Sequence, residues 1–186
     1  MATRKPPMKT SEESTKAQLT LATAQGAAYA AALAAMDEES GAKSKRAGDY
    51  EVIVVIEEAE GMWMPDDSGK LAWQEPTEEN AHVEVAVRDA ADGRFIPALD
   101  ITVTLTAPDG SDVGTHPQTF MWHPWLYHYG RNWTVPGPGD YGVHVHIAAP
   151  TFMRHDHENG NRFADDIEVD FTVSVEPDQK LVEGKG

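Results

Sequence analysis

From Tyr50 to Val175 the apolar positions recur every second residue, the period of a strand rather than of a helix. In "AHVEVAVRD", Val83, Val85 and Val87 share one face, and His82 and Glu84 fall on the other. "ITVTLTA" sets Ile101, Val103 and Leu105 against three threonines. "YGVHVHIA" aligns Tyr141, Val143, Val145 and Ile147, and "DIEVDFTVSVE" aligns Ile167, Val169, Phe171, Val173 and Val175. "YEVIVVIEEA" does not alternate. Its continuous β-branched run predicts a strand buried on both faces. Turn chemistry such as "APDGSD" and "VPGPGD" separates the runs. Five strands, with one or two more around residues 112–124, predict an all-β fold, an antiparallel β-sandwich.

Residues 1–47 read differently. "MATRKPPMKTSEESTK" is polar and predicts disorder. "AQLTLATAQGAAYAAALAAMDEE" predicts a surface helix. Thr20, Thr23, Gln25 and Gly26 interrupt its apolar run, which lacks the Leu, Val and Ile density of a membrane span, and no clear signal peptide is seen. The Gly41/Lys43/Lys45/Gly48 segment reads as a linker. The expected organisation is therefore a tail, helix and linker over 1–47, a sandwich over 48–178, and a disordered tail over 179–186.

Composition narrows the chemistry. A net charge of −16 without an offsetting basic patch argues against a nucleic-acid partner and suits a cationic one. The 186 residues include no Cys, which removes disulfides, thiolate zinc sites, iron–sulfur clusters and blue-copper sites. Any metal must be held by His, Met, Asp and Glu.

Several places offer such ligands. His82 and Glu84, two apart on one strand face, can converge on one ion, or be polar residues on a wet face. His144 and His146 make the same offer, as cupin barrels do, yet no acid follows until Asp156; a hydrated strand face explains them as well. "RHDHENG" places His155, Asp156, His157 and Glu158 in a loop that is equally an ordinary polar turn. Met62 and Met64, at a strand exit, are soft ligands or gap fillers. "FMWHPWLYHYGRNW" (residues 120–133) packs two His, one Met and six aromatics into fourteen residues, including three of the five Trp. It reads as a core strand that carries His, or as one wall of a metal site.

Taken in order, "EEAEGMWMP", "AHVEVAVRDAADGRFIPALDITVTL", "FMWHPWLYHYGRNWTVPGPGDYGVHVHIAAP" and "RHDHENG" resemble the Fe2+ transport protein family, over about Tyr50 to Val175. The resemblance implies an immunoglobulin-like sandwich, usually dimeric, that binds copper and iron ions outside the cytoplasm and works with an iron permease. Carried over motif by motif, it implies metal ligands at His82, Glu84, Met121, His128 and His155, with Met62 and Met64 in the family's Glu-Gly-Met-x-Met motif. His123, His144 and His146 have no counterpart. The bulky "WHPWLY" replaces a small Gly- and Asp-containing segment, and the family's secretion signal is missing from the chain as given. The expectation is a binding protein rather than an enzyme; a copper chaperone or buffer, and a copper or iron oxidase on the same scaffold, are the competing readings.

Overall fold

The computed structural model describes residues 7–175. One helix, α1 (Lys16–Ser40), precedes ten strands: β1 (Lys43–Ala47), β2 (Tyr50–Glu57), β3 (Met62–Pro65), β4 (Leu71–Gln74), β5 (Ala81–Asp89), β6 (Ile101–Thr106), β7 (Asp112–Met121), β8 (His128–Trp133), β9 (Gly139–Ile147) and β10 (Ile167–Val175). The five strands expected from periodicity are β2, β5, β6, β9 and β10. Eight strands form one antiparallel sheet in the order β1-β2-β5-β8-β7-β6-β9-β10, and β3 and β4 form a separate hairpin. The expected tail over 179–186 and the first six residues lie outside the described residues.

This single sheet is folded on itself. β7 makes the fold by changing partner: residues up to Gln118 pair with β6, and Thr119–Met121 pair with β8. The two halves then face each other across the alternating residues. Val52, Val54, Val83, Val85 and Val87 from one half meet Val103, Leu105, Val143, Val145 and Phe171 from the other, all buried. β-Branched side chains suit this packing because their restricted rotamers fit a pleated surface.

One expectation is corrected, and one open alternative falls. The segment read as a linker forms β1, paired residue for residue with β2 from Lys43↔Val54 to Ala47↔Tyr50. Its "KSKRA" composition is that of a charged edge strand, which discourages further pairing. The face of β5 opposite the valines is not hydrated either. Seven consecutive residues, Ala81–Val87, are buried, because α1 and the Leu126 loop cover that second face.

Loop 148–166 is fastened to the sheet by Arg162. Its guanidinium lies 3.2 Å from Asp49 and 2.5 Å from Asp89, all three side chains being nearly inaccessible. Phe163 N–H donates to Asp49 at 3.0 Å. Arg162→Leu should destabilise the protein by about 3 kcal/mol, because two buried carboxylates lose their cation. Urea denaturation checks this, and an unchanged midpoint would show the tie to be ornamental.

Candidate metal centre

β5 and β8 pair with His82 opposite Asn132 and Glu84 opposite Gly130. β7 and β8 pair with Met121 opposite His128. Cross-strand partners share a face, so register alone places His82, Glu84, Met121, His128, Gly130 and Asn132 on the face away from the main core. The ligand atoms of His82, Glu84 and His128 all lie within 4.8 Å of one another. Glu84 Oε1 is 3.8 Å from His82 Nε2 and 3.5 Å from His128 Nε2. Those separations exceed a hydrogen bond. They suit donors sharing one ion, since ligands at about 2.0–2.2 Å from a metal stand about 3–4 Å apart.

The protein fixes both imidazoles from behind. Asn132 Nδ2 donates to the Glu60 carbonyl at 2.7 Å, which turns Asn132 Oδ1 toward His82 Nδ1 at 2.8 Å. His82 Nδ1 therefore carries the proton. The Leu126 carbonyl, 3.3 Å from His128 Nδ1, can only accept, and assigns the same tautomer there. Both Nε2 lone pairs are thereby left for the ion, the usual outer support of a metal-bound His. Asn132 was missed in the sequence. Its signal was the spacing of His128, Gly130 and Asn132 at every second residue, one face of one strand.

Gly130 makes the room. A Cβ there would stand 2.7 Å from His82 Nε2 and 3.2 Å from Met121 Sδ. That places the thioether beside the same space as a fourth donor. The donor set thus fits a metal ion by geometry, by tautomer and by the cradle that a side chain would fill.

Electrostatics point the same way. Burial, helped by the charges of Glu57 and Glu60, pushes the Glu84 carboxyl up to about 8. Burial pulls His128 down to about 4, with His82 and His123 adding to the shift, and lowers His82 despite its bond to Asn132. Without a cation, three neutral groups face one another. A divalent ion would reverse that preference for Glu84, as metals do for nearby acids.

The other expected ligands lie elsewhere. His155 is on the outer loop, its side chain 91% exposed and 3.2 Å from Glu13, so within one chain the structure does not bring it to the buried donors. Met62 is half-buried and Met64 exposed, on the β3–β4 hairpin; the Glu60 carbonyl, just ahead of that hairpin, accepts from Asn132 beside the site. His144 and His146 sit on the outer face of β9 and pair with Asp170 (2.7 Å) and Asp166 (3.7 Å). His123 stands at the rim, its ring 6.3 Å from His128 and its buried Nδ1 without a partner. Tyr129 is buried, with its hydroxyl donating to the Ile96 carbonyl. Trp122 and Trp125 are exposed there.

A model of the family described as Fe2+ transport protein matches residues 35–176, more than half of the chain. No curated protein matches. Among solved structures the chain is similar to FetP of uropathogenic Escherichia coli strain F11, recombinantly expressed in the periplasm, at 23% identity and TM-score 0.59, covering 72% of this chain and 95% of that one. A copper-bound variant of FetP matches at 21% identity and TM-score 0.62, covering 75% and 93%. Copper-reconstituted P19 from Campylobacter jejuni matches at 19% identity and TM-score 0.59, covering 73% and 94%. At these identities the structures share the fold. Among the described residues no helix is long and apolar enough to cross a membrane.

The pH dependence of the metal-free protein follows from the sign of each shift. Glu84 has a folded pKa of about 8, raised from 4.5, so its contribution is complete below pH 4.5 and is lost as pH rises through 8. His128, lowered from 6.5 to about 4, contributes above 6.5 and loses this as pH falls through 4. Urea melts in chelator should show wild type losing stability between pH 6 and 9 more steeply than Glu84→Gln. Parallel profiles would contradict a buried, protonated Glu84.

Proposed function

Because the chain belongs to the Fe2+ transport protein family, we propose that it is a metal-binding protein of iron uptake. It binds copper and iron ions at His82, Glu84, His128 and Met121, and it works with an iron permease outside the cytoplasm. The single observation that carries this is the convergence of three buried donors whose imidazole tautomers are both set toward one point. Imidazole suits Cu(II) and iron, thioether suits Cu(I), and a carboxylate adds a charge that either oxidation state needs. The copper-bound relatives support the metal, and the nearly closed site supports holding and handing over an ion rather than turning over a substrate. The acidic surface supports a cationic cargo.

Cu(II) titration of metal-free protein tests the ligand set. His82→Ala, His128→Ala and Glu84→Gln should each weaken affinity at least about tenfold. Asn132→Leu should cost about 10–100-fold through loss of tautomer control. His144→Ala should change nothing. Equal losses at His144 and His128 would overturn the assignment, and a loss at His155→Ala equal to that at His128 would return His155 to the ligand set.

We also propose a homodimer. Phe120, Trp122, Trp125 and Tyr127 are large, exposed and contiguous in sequence with the ligand His128, and such apolar clusters on a monomer are usually covered. Light scattering of the metal-loaded protein should give twice the 20.3 kDa chain mass, and a clean monomer would exclude it.

A further inference from the structure

Helix α1 lies on the same sheet face as the metal centre. Most of it, up to residue 34, precedes the family match. Its seating is specific. Among its described side chains, Leu19, Ala22, Gly26, Tyr29, Ala30, Ala32 and Leu33 are the less exposed positions, and most recur at helical spacing. At Gly26 the helix touches the turn after β5 so closely that a Cβ would stand 1.8 Å from the Asp92 carbonyl oxygen. Leu33 is buried in a second apolar cluster with Ile53, Val55, Ala86 and Leu126. Val55 is the cross-strand partner of Glu84, and Ala86 follows Glu84 by two residues, so this cluster borders the metal site directly.

Two adjacent carbonyls join the helix to the ligand. The Tyr29 hydroxyl donates to the Tyr127 carbonyl at 2.6 Å, while the Leu126 carbonyl accepts from His128 Nδ1. Burial raises the pKa of Tyr29, keeping that hydroxyl protonated as a donor. The Tyr29 ring also packs on Phe95, which contacts Tyr127. The helix therefore grips, by packing at Leu126 and by a hydrogen bond at Tyr127, the two residues that lead into His128. Ahead of α1, the chain is held on loop 148–166 by Ser11 to Asp156 (2.8 Å) and by Lys9 N–H to Asn159 (2.9 Å).

Resting on the reading of His82, Glu84 and His128 as a metal centre, we propose that α1 is a chain-borne cover of that centre. Its docking holds the Leu126–His128 segment in the ligand-ready conformation and limits how fast an ion enters and leaves. Tyr29 is the positioning residue of this device, acting through the backbone ahead of His128. Among its described side chains the helix buries one large aliphatic residue, Leu33, with Leu19 and Tyr29 half-buried, so its opening is a local event that leaves the folded sheet intact.

Gly26→Leu tests this by blocking the seat without removing an apolar group. Hydrogen exchange on metal-free protein should show α1 and the Leu126–His128 amides exchanging at least about fivefold faster, the worth of one net hydrogen bond, with β9 amides unchanged. Cu(II) loss to excess chelator should accelerate by a similar factor at unchanged stoichiometry. Tyr29→Phe, which keeps the ring, should shift both rates in the same direction by less. A released α1 with wild-type rates of Cu(II) loss would overturn the proposal. If β9 also loses protection in Gly26→Leu, Tyr29→Phe decides, and wild-type rates there overturn it. If no variant and no wild-type protein binds Cu(II), the metal reading fails; unchanged Leu126–His128 exchange in Gly26→Leu then overturns the positioning role as well.

Discussion

Two imidazoles and a carboxyl, each less than one-tenth exposed, face one another at distances too long for hydrogen bonds and too short for indifference. Among the described residues, the charges that act on Glu84 are those of Glu57 and Glu60, both acidic. Burying such a group is costly unless something satisfies it. A small cation satisfies all three donors at once. Much of the local structure is arranged to keep that possibility open.

The arrangement begins in strand register. β5 passes between β2 and β8, so its valines fill the main core while His82 and Glu84 reach a second, smaller layer. β8 answers with His128, with the side-chain gap at Gly130, and with Asn132, whose amide is itself oriented by Glu60. β7 supplies Met121 where it leaves β6 for β8, which ties the thioether to the feature that folds the sheet over. The second layer is closed from outside by α1 and by the Leu126 loop. Ligand placement thus depends on the same pairing that makes the fold.

Much of this was legible in the sequence. Alternation identified the core faces of β5, β6, β9 and β10, and the unbroken "VIVVI" run in β2 announced burial on both faces. That run already called for a cover, but α1 did not stand out as one. Alanines surround Gly26, Tyr29 and Leu33, so the docking stripe carries little contrast in hydropathy. "KSKRA" looked like a linker because edge strands favour the charges that loops also favour. The position of His155 depended on a loop path that periodicity does not encode, and its exposure follows from the Arg162 anchor and the Glu13 contact. Asn132 was visible in principle, two residues beyond Gly130 on the ligand face, and was passed over because an Asn carries no metal chemistry of its own.

The most direct test of the metal centre is paramagnetic resonance of the protein loaded with one Cu(II) per chain, with nitrogen couplings resolved. At least two coordinated imidazoles are expected, bound through Nε2, with their remote Nδ1 protons hydrogen-bonded. His128→Ala should remove one set of couplings, and His144→Ala should remove none. A spectrum identical in wild type and His128→Ala would place the ion elsewhere and contradict the account.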